Sequence, residues 1–269
     1  MYSLHLTCKP SEVDLLSGEL WQAGTVGIRE CDSGSGQVEL MAGFEVESPP
    51  RDLLRDFAPH LPRWEREEEK DWVGATQAAW PGRFVGSRLF LAAPWCSDPT
   101  PEGRLRVIHN PGLASGTGEH PCTQLALKGL ETAITPGCVL ADIGTGSGIL
   151  AIASLRLGAA VAIAIDPDES ALSSAKENFE LNGLPPNLIA GSADGIETCS
   201  MDVVVANING SVLLTIADDL LRIVRPDGKL ILTGFPEAEW HVLEQVFPSE
   251  TVFTQDGWKC VISRISWAA

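Results

Sequence analysis

The run Asp142-Ile143-Gly144-Thr145-Gly146-Ser147-Gly148 places three glycines at alternate positions between an apolar stretch and a helix-like one. Glycines in that setting let a ligand approach the backbone. A helix start beyond them offers unpaired N–H groups to a carboxylate or another polar group. Two cofactor classes use such a loop. The dinucleotide fingerprint spaces its glycines G-x-G-x-x-G/A, with the last one packing helix against strand. Here Ile149 holds that third position, and a bulky Ile spoils the pyrophosphate geometry. The other class is favoured, with a ligand-free glycine turn as the plain alternative.

Asp166 stands 22 residues after Gly144, at the end of the next apolar stretch. In a doubly wound fold, successive strand ends line one crevice beside the glycine loop. A carboxylate there accepts hydrogen bonds from both hydroxyls of a ribose, or else it caps a helix beginning after Pro167. The spacing from Gly144 and Gly146 favours the ribose. Gly191-Ser192-Ala193-Asp194 follows the third strand and is expected near an adenine, with Ser192 as its candidate contact. Val205-Ala206-Asn207 ends the fourth. The Asn207 carbonyl can hold an incoming amine while its own N–H groups stay paired; alternatively, Asn207 closes a turn.

Those residues need a frame of strands alternating with helices. From about Gly137 the pattern supplies it: strands at Val139 to Ile143, Val161 to Ile165, Asp202 to Ala206 and Leu230 to Thr233. Helices are expected at Ile149 to Leu157, Asp168 to Leu181 and Leu213 to Val224. This is the mark of a doubly wound parallel α/β sheet of the Rossmann-like kind. Thr251 to Phe253 and Val261 to Ser263 flank Asp256-Gly257, so an antiparallel C-terminal hairpin is expected.

The first seventy residues read as a separate small α+β domain. Tyr2, Leu4 and Leu6 alternate as in a half-buried strand. Ser11 can cap a helix whose Val13, Leu16 and Leu20 share one face, with Gly24 beyond its end. Strand-like alternation at Val26 and Ile28 follows, then at Val38 to Phe44. A second helix is expected around Leu53, Leu54 and Phe57, and an edge strand from Trp64 to Glu68. The order β-α-β-β-α-β matches a ferredoxin-like split unit. The expected division is 1–70, which ends in the charge-dense run from Arg63 to Lys70, and 71–269. Between the two patterned regions, Arg83 to Ala92 reads as one strand.

Bulk properties narrow the function classes. The chain has 269 residues, 44% of them hydrophobic, and a mean hydropathy of +0.08. No stretch approaches the ~18 consecutive apolar residues of a membrane span. The N-terminus lacks the basic region and apolar block of a secretory signal, so the expected address is the cytoplasm. Seven cysteines and five histidines are scattered without C-x-x-C spacing, which gives a metal site no support. Buried thiols in a reducing compartment are the plain reading. A net charge of −17 repels phosphate backbones, attracts basic protein partners and also serves solubility.

The segment His109-Asn110-Pro111-Gly112-Leu113-Ala114-Ser115-Gly116-Thr117-Gly118-Glu119-His120-Pro121-Cys122-Thr123, the glycine loop and Ala206-Asn207-Ile208 together resemble the bacterial methyltransferases of ribosomal protein L11. Asp71-Trp72, Trp80, Phe84, Pro94-Trp95 and Gly257-Trp258 fit the same family, and the likeness covers nearly the whole chain. It implies S-adenosylmethionine as cofactor and a basic ribosomal protein as partner, recognised by the N-terminal domain. It also implies methylation of lysine side chains and of the N-terminal amine. Carried over by position, the cofactor contacts are Thr123, Gly144, Asp166 and Asn207, with Asn207 also orienting the acceptor. His120 and Thr123, expected in a loop before the sheet, would close over the methionine half of the cofactor, although His120 has an equal structural reading. The departures are Ser115, where an aromatic is usual; Glu119 and Cys122, where Thr is usual; and Asn209-Gly210 after Ile208. They touch substrate-facing positions. The alternatives are a related methyltransferase acting on another amine, an amide or a small molecule, and a non-catalytic binding protein.

Overall fold

Residues 2–32, 36–46, 50–66, 82–110, 118 and 120–266 are described by a computed structural model. Two units make up the chain, Met1–Thr76 and Gln77–Ala269.

In the first unit the period-two pattern folds as expected. Strand β1 (Tyr2–Cys8) pairs antiparallel with β3 (Val38–Phe44) and β4 (Arg63–Arg66), and β2 (Gly27–Asp32) pairs with β3. The sheet order β2-β3-β1-β4 is that of a ferredoxin-like split unit. Helix α1 (Val13–Gln22) sets Val13, Leu16 and Leu20 against Leu4, Leu6, Leu40 and Ala42. Phe57, just after α2 (Arg51–Asp56), joins the same core. Ser11 does not cap α1. It lies inside a 3₁₀ turn, Pro10–Glu12, closed by the Lys9 N–H on the Glu12 carboxylate at 2.8 Å. The expected last strand is described only to Arg66; Glu67 and Glu68, the 70/71 boundary and Asp71, Trp72 and Trp80 lie outside the described residues.

The second unit begins with a three-stranded sheet. The single strand expected over 83–92 is a hairpin, β5 (Arg83–Val85) against β6 (Leu89–Ala92), and β7 (Leu105–Ile108) runs parallel to β6. Gly86 turns the chain at φ +56°, a region that L side chains avoid. Helix α3 (Pro121–Ala133) then supplies the anchor. Its Glu131 carboxylate accepts from the Ser87 N–H (2.8 Å), the Ser87 hydroxyl (3.0 Å), the Arg88 N–H (2.8 Å) and the Leu89 N–H (3.2 Å).

The remaining elements form the large sheet and its cover. In chain order they are β8 (Val139–Ile143), α4 (Ile149–Leu157), β9 (Val161–Asp166), α5 (Glu169–Leu181), β10 (Leu188–Ala190) and β11 (Met201–Asn207). Then come α6 (Gly210–Thr215), α7 (Ala217–Ile223), β12 (Val224–Pro236), α8 (Trp240–Leu243), β13 (Thr251–Gln255) and β14 (Trp258–Arg264). Strands order as β10-β9-β8-β11-β12-β14-β13. The first five run parallel, β14 runs antiparallel to β12, and β13 completes the expected hairpin. Its turn is Asp256-Gly257, both at positive φ. The helix expected over 213–224 breaks at Ile216 into two short ones.

Side chains alternate across the sheet. Leu140, Val203, Val205 and Ile231 face α3, α4 and Phe179 of α5, whereas Ala141, Ile143, Val204, Ala206 and Leu232 face α6, α7 and α8. Each fully buried Leu, Ile or Val contributes about 1.5–3 kcal/mol. Strand order reverses between β8 and β11, so the C-terminal ends of β8, β9 and β11 open into one crevice.

Glu131 is the joint between the hairpin and α3, and its removal strands backbone donors. Glu131→Ala should lower stability by about 1–3 kcal/mol, measured by urea denaturation. A loss below about 0.5 kcal/mol would mean that water replaces the carboxylate fully.

Candidate active site

The glycine loop turns because three of its residues take left-handed backbone. Gly144, Gly146 and Gly148 have φ of +71°, +53° and +79°. Two of them also lack room. A Cβ on Gly144 would lie 2.5 Å from Ile208 Cγ2, and one on Gly148 would lie 3.1 Å from Ala175 Cβ and 3.3 Å from Phe179. The loop is held from both sides. The Ile165 carbonyl accepts from the Gly144 and Thr145 N–H groups, both at 2.9 Å. Asp166 Oδ2 accepts from the Gly146 N–H at 2.9 Å.

Asp166 does not cap the following helix. Asp168 does that, accepting from the Ser170 N–H at 2.8 Å. Asp166 instead uses Oδ1 for the Asp168 N–H (3.0 Å) and Oδ2 for Gly146. It is 9% exposed, and that exposure opens on a cleft of about 500 Å³ lined also by Gly144, Gly146, Ser192, Asn207 and Val212.

A second cleft of about 400 Å³ adjoins the first, sharing Gly144, Gly146 and Asn207. Its other walls are His120, Cys122, Thr123, Leu150, Gly234 and Trp258. All six candidate residues therefore line one groove across the strand ends. Thr123 is not in a loop, as the sequence reading had it; it sits buried in the first turn of α3. His120 caps that helix, its Nδ1 accepting from the Cys122 N–H at 3.3 Å. The His120 ring also meets Trp258 edge-on, 4.7 Å between centroids.

Asn207 closes the arrangement. Its Nδ2 donates to Thr123 Oγ1 at 3.4 Å, across 84 residues of sequence. With Nδ2 so engaged, Oδ1 is the amide atom left to accept from a ligand in the clefts that Asn207 lines. Sequence reasoning assigned no role to Cys122, Gly234 or Trp258 as groove walls. Trp258 follows the hairpin turn at Asp256-Gly257, and that turn is the signal that could have placed it. Burial pushes the Cys122 thiol up, partly offset by hydrogen bonds with Thr233 and the Gly234 backbone. Cys260 is pushed to about 12 by burial and by the nearby Cys122. Both stay thiols, so neither is a base or a ready nucleophile.

Behind the loop lies Asp142, fully buried on β8. Its Oδ2 accepts from the Thr145 hydroxyl (2.7 Å) and the Ala151 N–H (3.1 Å), while Oδ1 has no partner among the described residues. Burial raises its pKa to about 7; the Thr145 and Ala151 bonds pull the other way, and the Asp166 charge adds to the rise. A carboxyl whose folded pKa lies above its unfolded value of about 3.9 contributes stability at low pH. That contribution is lost as pH rises through 7. Between pH 5 and 8.5 this group should cost the fold about 3 kcal/mol. Asp142→Asn keeps an oxygen for Thr145 and Ala151 and puts a neutral NH₂ at the unpartnered position. Its stability should fall less over that pH range in parallel urea titrations; superimposable pH dependences would remove Asp142 as the source.

Comparison with known proteins agrees with this geometry. Residues 52–265 match the family described as ribosomal protein L11 methyltransferase (PrmA). The ribosomal protein L11 methyltransferase of Symbiobacterium thermophilum is 35% identical over 75% of this chain and 67% of its own. That of Nitrosococcus oceani is 33% identical over 90% of both chains. The crystal structure of ribosomal protein L11 methylase from Lactobacillus delbrueckii subsp. bulgaricus, 32% identical, superposes with a TM-score of 0.64 over 69% of this chain and 99% of its own. With the glycine turn, Asp166, Thr123 and Asn207 gathered on one groove at the switch point of a doubly wound sheet, this chain belongs to the ribosomal protein L11 methyltransferase family.

Proposed function

We propose that this protein transfers methyl groups from S-adenosylmethionine to amines of ribosomal protein L11, namely lysine side chains and the N-terminal amine. The observation that carries the reading is the Asn207–Thr123 bond beside the glycine loop, because it engages the amide nitrogen and leaves the carbonyl oxygen of a cleft-lining residue to accept from an amine.

The groove suits the cofactor in its parts. Asp166, which lines the larger cleft, would hold the ribose hydroxyls, and Ser192, on the same cleft, would meet the adenine. Gly144 and Gly146 allow close backbone approach, and Thr123 borders the smaller cleft, where the amino-acid half would lie. Bound there, the cofactor supplies a methyl on a sulfonium, which leaves by direct displacement. An amine must attack with a free lone pair, yet a lysine has a reference pKa of about 10.4. Removal from water in a narrow cleft favours the neutral amine. Asn207 Oδ1 would accept one of its N–H groups and aim the lone pair. Among the described residues of the smaller cleft, the ionisable ones are His120 and Cys122. The first spends its Nδ1 lone pair on the helix cap and the second is held as a thiol. The reading therefore uses positioning and desolvation, without a dedicated base.

The first unit is assigned to docking the ribosomal protein, with a boundary near residue 70. Glu12, Glu19, Glu30, Glu39 and Glu45 outnumber Lys9 and Arg29 over its first 46 residues, which suits a basic partner and makes encounter salt-dependent. Among the described residues no helix is long and apolar enough to cross a membrane. Work on ribosomal proteins in the cytoplasm is consistent with that.

The test is incubation with labelled S-adenosylmethionine and purified ribosomal proteins, followed by mass spectrometry. Methyl groups should appear on amines of L11, and the rate should drop with added salt. Label on another protein, or none, would sink the substrate assignment. Asp166→Ala should weaken cofactor affinity by about 1–3 kcal/mol in calorimetry, and unchanged affinity would take Asp166 out of the site. Asn207→Ala should cut turnover about 10²-fold with a much smaller change in cofactor affinity. A parallel fall in both would make Asn207 a cofactor ligand only.

A further inference from the structure

Helix α5 carries an anomaly on its buried stripe. Ala175, Asn178, Phe179 and Asn182 fall at i, i+3, i+4 and i+7, the spacing of a face turned to the core, and all four are buried. Two of them are amides, where apolar residues would pack without needing partners.

The amides are fully engaged, and by backbone. Asn178, 1% exposed, donates from Nδ2 to the Ser147 carbonyl of the glycine loop at 2.9 Å. Its Oδ1 accepts from the Asn110 N–H at 2.8 Å. One side faces a carbonyl and the other an N–H, so a single orientation of the amide satisfies both. A turn further on, Asn182 accepts from the Ile108 N–H (2.9 Å) and donates to the Ile108 carbonyl (2.6 Å). Asn182 thus holds the end of β7 alone, whereas Asn178 joins two places. One is the glycine loop. The other is the second residue of the 109–123 motif, whose last residue, Thr123, bonds Asn207.

The glycine loop is pressed against the same helix. Gly148 leaves only the space of a hydrogen before Ala175 and Phe179. A Cβ on Gly118 would likewise meet Leu91 at 2.9 Å and Ile149 at 3.3 Å. We infer that Asn178 is a positioning residue for cofactor binding: its buried amide sets Asn110, just beyond β7, in register with the glycine loop. This rests on the groove at that loop being the S-adenosylmethionine site. Asn178 touches no groove atom itself and acts through Ser147 and Asn110.

The test compares full-length wild type with Asn178→Ala and Asn182→Ala. S-adenosylhomocysteine binding is followed by calorimetry, and steady-state kinetics are run well below each variant's melting temperature. Both variants should melt lower. Asn178→Ala should bind S-adenosylhomocysteine about tenfold more weakly and raise KM for S-adenosylmethionine with a smaller change in kcat. Asn182→Ala should keep wild-type affinity. Equal affinities for wild type and Asn178→Ala, or equal losses in the two variants, would overturn the assignment and leave the cofactor site intact. Hydrogen exchange on the wild type keeps the question decidable if a variant does not fold. S-adenosylhomocysteine should protect residues 105–110 together with 144–150, and protection confined to 144–150 would also overturn it. No binding by the wild type would instead bring down the cofactor reading, and this inference with it.

Discussion

Two carboxylates grip one glycine turn, and the rest of the catalytic unit is arranged around that grip. Asp142 takes the Thr145 hydroxyl and the Ala151 N–H in the first turn of α4 from behind, while Asp166 takes the Gly146 N–H from the adjacent strand end. Burial, with a smaller addition from the Asp166 charge, raises the Asp142 carboxyl to about 7. Asp166 lies at the edge of the larger cleft. A turn with three left-handed residues has no intrinsic reason to keep one shape. These bonds give it one.

The strand order converts that local turn into a site. Because the sheet reverses between β8 and β11, the turn after β8, Asp166 after β9 and Asn207 after β11 share one edge. Thr123 comes from a helix before the sheet, and its bond to Asn207 is long at 3.4 Å. A long bond constrains the amide weakly, but by engaging Nδ2 it leaves Oδ1 as the end available to accept. That polarity matters more to an amine acceptor than the bond's strength does. An amide turned the other way would present N–H groups to a nucleophile that needs an oxygen.

Much of this was legible in the chain because strands and their terminal residues write themselves locally. The stretches ending in Ile143, Asp166 and Asn207 are apolar runs closed by a residue with a use for its position, and the glycine spacing alone set aside a dinucleotide. Asp166 and Asn207 were read correctly as lining one crevice. What was not legible depends on tertiary partners. Helix α3 was missed because Pro121 and the neighbouring glycines look like loop, whereas Pro at N1 and the His120 cap are what start it. The hairpin at Gly86 was read as one strand, since the carboxylate that fixes its turn lies more than forty residues away at Glu131. Ser11 offered a plausible cap, but Pro10 and the Glu12 carboxylate formed a tighter turn first. Asn178 lay inside, and Asn182 just past, a helix whose apolar face is read from Leu172, Ala175 and Phe179, and no local pattern says where an amide's bonds will go.

Where polar groups are buried separates the two faces of the large sheet. On one face α6, α7 and α8 bury only apolar residues and a glycine. On the other, α3, α4 and α5 bury Thr123, Ser154, Asn178 and, just past the helix end, Asn182, and the strand beneath them buries Asp142. Apolar packing holds a sheet layer with a tolerance set by how side chains interdigitate. Buried hydrogen bonds add direction, because a donor displaced from its acceptor is left unpaired at a cost of about 1–3 kcal/mol. Methyl transfer needs an acceptor and a donor held to a fraction of an ångström. The polar core accordingly lies mostly on the face that fixes the loop, Asn110 and Thr123, and the other face, where the sheet buries Ser263 among apolar side chains, serves as its support.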